Sequence, residues 1–463
     1  NTAESNKMGT MPVGRLMINM SLPAMFSMII HSLYNIINSI FVGIIGESAL
    51  ASVTLIFPIQ IFLISLGVGT GIGLNSLISR KLGEQNFMAA NSAANHGMLT
   101  SIVNWFIFAV FGIFFSRPFV EVFSDNPEII AYGTGYCFII SVFSLFVLIQ
   151  INVEKILQAT GNMVLPMICS LTGAIINIIL DPILIFGLLG VPELGVTGAA
   201  IATVIGQFLA MCLSLYFLFS KEHKIKINFY NFRINWKVLK DIYSVGLPSI
   251  VMQSISSVMI IGLNAILISF SEAAVAVLGV YFRLQSFIFM PIFGLTQGIM
   301  PILGYNFGAK NKKRLIETFK IALKTAVIIM IVGMIIFQIF PVPMLKLFSA
   351  SSEMLRIGTG ALRIISTCFV FAAIGIIAST LFQATGHGLF SLYVSLLRQL
   401  VVILPLSWIL ARFSGVSYVW LAFPMAELFA LTASVFLLRY IYNRKIKNWG
   451  EMNETNFRNG INV

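Results

Sequence analysis

Apolar residues occur along this chain in long uninterrupted runs, separated by short polar breaks. The runs fall at roughly 15–45, 53–79, 95–116, 130–157, 164–188, 196–219, 243–270, 274–303, 317–344, 358–384, 389–411 and 416–438. Each is long enough to cross a bilayer, which takes about 20 apolar residues in an α-helix. The pattern therefore predicts an all-α integral membrane protein of twelve transmembrane helices. An outer-membrane barrel would show alternating segments of about 10 residues instead. Glycine and proline sit inside several runs, as membrane helices allow.

Composition supports this and excludes a second, soluble domain. Of 463 residues, 58% are hydrophobic and 10% charged, against about 25% charged in soluble domains. Twelve spans and their loops use the whole length. Cys137, Cys169, Cys212 and Cys368 all fall in apolar runs and form no CxxC pair, so they read as free apolar residues. The first run lacks a small-residue cleavage site and is followed by further spans, unlike a signal peptide. No metal-ligand cluster, Ser/His/Asp arrangement, P-loop or dinucleotide-binding glycine pattern is present, so neither an enzyme nor a bound cofactor is expected.

Charge sets the orientation. Taking alternate breaks as opposite faces of the membrane, one face carries 21 Lys and Arg and the other only Arg117, Lys346, Arg356 and Arg412. The positive-inside rule places both termini in the cytoplasm, with the chain multi-pass in the plasma membrane. The net charge of +12 thus reflects membrane orientation, and no nucleic-acid surface is expected.

Shifted by 225 residues, the chain aligns with itself. Pro23 meets Pro248, Gly69 and Gly73 meet Gly294 and Gly298, and Gly83 meets Gly308. YGTGYCFIIS (132–141) meets IGTGALRIIS (357–366), and LQATG (157–161) meets FQATG (382–386). Each repeat holds six helices, an even number, so the two repeats are parallel, as in transporters that rock two halves around a central cavity. The organisation predicted is an amino-terminal lobe 1–220, a cytoplasmic linker 221–240, a carboxy-terminal lobe 241–440 and a cytoplasmic tail 441–463.

Three acids lie inside apolar runs: Glu154, Asp181 and Glu427. A charge at the bilayer centre persists when it is paired, protonated or facing a wet cavity. Asn177 and Asp181 are spaced i, i+4 and share one helix face. Pro182 frees a backbone carbonyl one turn earlier. Carboxylate, amide and carbonyl oxygens together suit a proton or a small cation. The shifted partners of Glu154, Asn177 and Asp181 are Ser379, Val402 and Leu406, so the ion chemistry is expected in the amino-terminal lobe alone. Glu154 is expected to face the cavity rather than pair with its neighbour Lys155, and Glu427 to form a structural ion pair with Arg398. With no nucleotide motif, transport would draw on an ion gradient.

Five stretches carry a family resemblance: SRKLGEQNF (79–87), NIILDPILIFG (177–187), GAAIAT (198–203), the paired QATG blocks and YNFGAKN (305–311). They resemble the multidrug and toxic compound extrusion (MATE) family over the whole chain. The Glu in INVEKILQATG (151–161) is similar to that of the MepA-like drug-efflux branch. The resemblance implies a monomeric antiporter that exports lipophilic cations against a proton or sodium ion and contributes to antibiotic resistance. A lipid-linked-glycan flippase of the same superfamily is the alternative.

The resemblance also assigns residues. Asp181, Asn177, Glu154, Asn38 and Thr203 would form the ion-coupling set, and Glu154, Asp181, Gln253 and Asn264 would line the substrate cavity. Asn38 stands where related branches have an Asp, and the acids of the NorM-like seventh and tenth helices are missing. Sodium is conceivable at Asp181, Asn177 and Thr203. One formal charge among them, desolvated in an apolar bundle that favours the neutral carboxyl, predicts proton coupling instead.

Overall fold

The computed structural model describes residues 7–220, 225–228, 230, 232–348 and 350–449; the rest of the linker and the tail from 450 onward lie outside the described residues. Among these residues there is no strand. The spans are α1 (Val13–Ile45), α2 (Glu47–Gly83), α3 (Phe87–Glu121), α4 (Pro127–Val142 continued by Leu145–Ala159), α5 (Val164–Phe186) and α6 (Gly195–Ser220). The second repeat gives α7 (Trp236–Leu267), α8 (Glu272–Gly308), α9 (Lys312–Ile339), α10 (Ser352–Ser366 continued by Phe369–Ala384), α11 (Gly388–Leu396, a π-helical stretch Leu397–Ile403, then Leu404–Ser414) and α12 (Val416–Val419 and Ala422–Ile441). Ten helices are long and apolar enough to cross a membrane, and twelve spans result when each bent pair counts as one.

Helices extend past the apolar runs because their polar first turns are held by side-chain caps. Asn86 Oδ1 accepts from Ala89 N and starts α3. Asn311 Oδ1 accepts from Arg314 N and starts α9, 225 positions later. Asn126 and Ser351, again 225 apart, cap α4 and α10. Such caps satisfy otherwise orphaned backbone donors, and hydropathy alone does not register them.

The repeat also dictates where helices break. α4 bends by 44° and α10 by 49° at corresponding positions. At the first break Ser144 Oγ donates to Ser141 O. At the second, Ser366, Thr367 and Cys368 all donate to carbonyls three residues back. Side chains that back-bond in this way compete with the helical ladder and bend it.

The chain forms two compact units, Phe26–Leu82 with Asn86–Ile250, and Asn1–Met25 with Gly83–Gln85 and Val251–Val463. In the first unit the opening turns of α7 press on α2, where a Cβ on Gly73 would collide with Ile242 O and one on Gly69 with Ile250. In the second unit the opening turns of α1 press on α8, where Gly298 meets Ser21 and Gly294 meets Met25. These contacts are related by the same 225-residue shift. Each unit therefore takes the start of one helix from the other repeat, with Pro23 and Pro248 near the change-over. The core of the first unit gathers Ile56, Phe108, Tyr136, Leu148 and Ile185. Many large apolar side chains, among them Phe106, Phe114 and Phe115, face outward, as a bilayer solvent permits.

Candidate functional site

α5 and α6 approach closely because small residues line their contact. A Cβ on Gly206 would stand 2.8 Å from Gly173 O, and one on Gly198 would stand 2.5 Å from Leu184 O. Small residues allow this approach in membrane helices. It brings Thr203 of α6 onto the face of α5 that carries Asn177 and Asp181. Asn177, Asp181 and Thr203 are all buried, and Asp181 has no exposed surface.

The Asn177 amide is oriented by its partners. Nδ2 donates to Asp181 Oδ2 at 2.9 Å, and Oδ1 accepts from Thr203 N at 3.0 Å and from Thr203 Oγ1 at 3.1 Å. The opposite orientation would set Oδ1 against Asp181 Oδ2, acceptor against acceptor. The amide thus serves Asp181 as donor and ties α5 to α6.

Asp181 Oδ1 is buried and has no hydrogen-bond partner. An orphaned buried acceptor is costly. Among the described residues no group of His, Cys, Asp and Glu has the arrangement of a metal site.

Glu154 occupies a second polar site on the same lobe. Its Oε1 accepts from Gln150 Nε2 at 2.9 Å and from Ser170 Oγ at 3.0 Å. Lys155 turns to Gln158, to which its Nζ donates at 2.9 Å. Glu154 is half-buried and Lys155 buried. Ser170 and Asp181 are both on α5, 11 residues apart in sequence, or about 16 Å at the helical rise. Glu154, on α4, therefore does not join the Asp181 cluster on α5, and the two carboxylates stand apart.

The other expected residues are spread out. Asn38 is half-buried on α1, and among the described residues no hydrogen bond links it to Asn177, Asp181 or Thr203. Gln253 and Asn264, both half-buried on α7, belong to the unit that contains neither Glu154 nor Asp181. Arg398 Nη1 pairs with Glu427 Oε1 at 3.1 Å, where α11 is π-helical. Sequence reasoning missed Gln150 and Ser170. Gln150 was within reach, being i−4 from Glu154, whereas Ser170 comes from another helix and had no signal of its own. A further buried group, Asn152 with Ser101 and Gly97 O, ties α4 to α3.

Comparison with known proteins matches residues 23–183 and 248–409 to the MatE family, once in each repeat. The multidrug export protein MepA of Staphylococcus haemolyticus is 28% identical over 431 residues, covering 93% of this chain and 94% of that protein. MepA of Staphylococcus aureus is likewise 28% identical, covering 92% and 94%. Among solved structures, a MATE protein in the bent conformation superposes with a TM-score of 0.90 at 25% identity, covering 97% of this chain and 100% of that one. An outward-facing multidrug resistance MATE family transporter of the MOP superfamily gives a TM-score of 0.86 at 26% identity, covering 95% and 98%.

Proposed function

The chain belongs to the MatE family, and we propose that it is a secondary active multidrug efflux transporter, exporting lipophilic cations in exchange for protons by alternating access. The observation that carries the coupling is the buried Asn177–Asp181–Thr203 cluster, in which Asp181 Oδ2 accepts from the Asn177 amide while Oδ1 has no hydrogen-bond partner. The efflux activity is that of relatives aligned over nearly the whole chain.

In this mechanism Asp181 takes a proton from the external side at Oδ1, the buried oxygen without a partner, and releases it to the cytoplasm. Protonation neutralises the carboxylate that accepts from Asn177 Nδ2. The contact joining α5 to α6 through Asn177 and Thr203 then differs in strength between the two states, and only such a difference lets an ion bias a conformational equilibrium. Glu154, held by Gln150 of α4 and Ser170 of α5, offers a carboxylate to a cationic substrate at a place separate from Asp181. Binding of drug and of proton then oppose each other through the conformation rather than by contact.

The protein resides in the plasma membrane as a monomer, with both termini cytoplasmic, supported by the 21-to-4 asymmetry of basic residues. The flippase alternative gains nothing from the MepA relatives, which are named multidrug export proteins. The reading is tested by ethidium accumulation in cells expressing the chain. Expression should lower accumulation, a protonophore should restore it, and the Asp181→Asn variant should behave as a vector control. Equal accumulation with and without the wild-type chain would refute it.

A further inference from the structure

Two basic segments far apart in sequence converge at one end of the carboxy-terminal helices. Lys312, at the start of α9, donates from Nζ to Lys447 O at 2.9 Å and lies 5.5 Å over the ring of Tyr442. Arg444 lies 5.9 Å over Tyr440. Trp449 packs edge-on against Phe307 with ring centroids 5.3 Å apart, fixing the end of α12 beside the α8–α9 turn. Lys310, Lys313, Arg444, Lys445 and Lys447 are exposed around this junction, with Lys312 half-buried among them.

No carboxylate lies within 309–316 or 440–449; Glu317 is the next on α9, and Glu451 and Glu454 follow outside the described residues. Arg314 is not part of the outward set. Its Nη2 donates to Met8 O and Met11 O and holds the amino-terminal turn.

The internal repeat supplies a control. The positions 225 residues earlier are Gln85 for Lys310, Phe87 for Lys312, Met88 for Lys313, Phe219 for Arg444, Ser220 for Lys445 and Glu222 for Lys447. None of these positions is basic in the first repeat, so the bases are not a requirement of the repeat itself. Among the described residues no acid forms an ion pair with these bases, and clustered like charges repel one another and favour an anionic occupant. Tyr440, Tyr442 and Trp449 mark the level, since amphipathic aromatics sit at the headgroup region of a bilayer, where basic clusters attract anionic lipid.

The geometry points to a binding surface for anionic phospholipid headgroups, whose phosphate oxygens accept from Lys310, Lys313, Arg444, Lys445 and Lys447. It rests on the membrane-spanning fold and on none of the coupling chemistry. The test is lipid retention by the purified full chain, followed by native mass spectrometry, with phosphatidylglycerol and phosphatidylcholine supplied in equal amounts.

Wild-type protein should retain phosphatidylglycerol at least about tenfold over phosphatidylcholine, roughly 1.4 kcal/mol. A variant carrying Lys310→Gln, Lys313→Gln, Arg444→Gln, Lys445→Gln and Lys447→Gln should lose that preference. A control variant with Lys226→Gln, Arg233→Gln, Lys237→Gln and Lys240→Gln should keep it. Gel filtration and melting temperature, unchanged in both, confirm the fold. Equal preference in wild type and the five-site variant, or equal loss in the control, would overturn the assignment. So would displacement of the lipid by inorganic phosphate at equal concentration, which would indicate a free-anion site.

Discussion

Asn177 and Asp181, one turn apart on α5, place an amide atom and a carboxylate oxygen 2.9 Å from each other in a buried site. That contact makes Oδ2 the acceptor and leaves Oδ1 to take the proton. Replacing Asp181 by Asn keeps the shape and an acceptor oxygen for the Asn177 amide but removes the titratable group. Asp181→Asn should therefore leave expression and melting temperature unchanged and reduce gradient-driven ethidium transport to the level of protein-free vesicles. Wild-type rates in the folded variant would remove Asp181 from the mechanism.

Asn177 matters through what it leaves behind. Asn177→Ala strips Asp181 Oδ2 of its partner while Oδ1 is already unpaired. An unsatisfied buried polar group costs about 1–3 kcal/mol. The variant should be less stable by that margin, seen as a lower melting temperature, and should lose transport. Thr203→Val, which retains the Asn177–Asp181 bond, should be milder on both measures. A Thr203→Val variant more damaged than Asn177→Ala would contradict the proposed order of contacts.

Glu154 is predicted to act on substrate rather than on the coupling ion. Glu154→Gln preserves hydrogen bonding to Gln150 and Ser170 but removes the charge. Its Kd for ethidium should rise roughly tenfold, or about 1.4 kcal/mol, with little change for an uncharged ligand of similar size. Proton-dependent quenching in substrate-free vesicles should persist. Equal weakening for charged and neutral ligands would make Glu154 structural.

The Arg398–Glu427 pair is structural in this account. Removing one partner of such a pair leaves the other charge uncompensated among apolar helices, whereas replacing both by apolar residues is often neutral. Glu427→Leu alone should depress the melting temperature strongly. Arg398→Met with Glu427→Leu should recover it and transport ethidium. A stable double variant without transport would assign the pair a functional role.

Much of the fold was legible in the sequence. Long apolar runs marked the spans, and the 225-residue repeat extends to caps at Asn86 and Asn311 and to the bends of α4 and α10. Helix ends were not legible, because caps and polar first turns carry no hydropathy signal. Nor was the exchange of helix starts, which depends on glycine contacts between distant segments. Within the site, Asn177 and Asp181 were readable from their i, i+4 spacing, and Thr203 from the resemblance alone. The separation of Glu154 from Asp181 needed the three-dimensional partner Ser170.

The central claim is that Asp181 exchanges a proton for drug. Asp181 Oδ1 is unpaired, and the surrounding amide and hydroxyl oxygens are also ligands that sodium accepts, so the two ions must be separated directly. The decisive measurement is ethidium transport by purified protein in sodium-free liposomes under an imposed proton gradient. The account predicts transport by wild type, none by Asp181→Asn, and no stimulation when sodium is added without a pH difference. No transport in the absence of sodium, restored by a sodium gradient at equal pH, would contradict it.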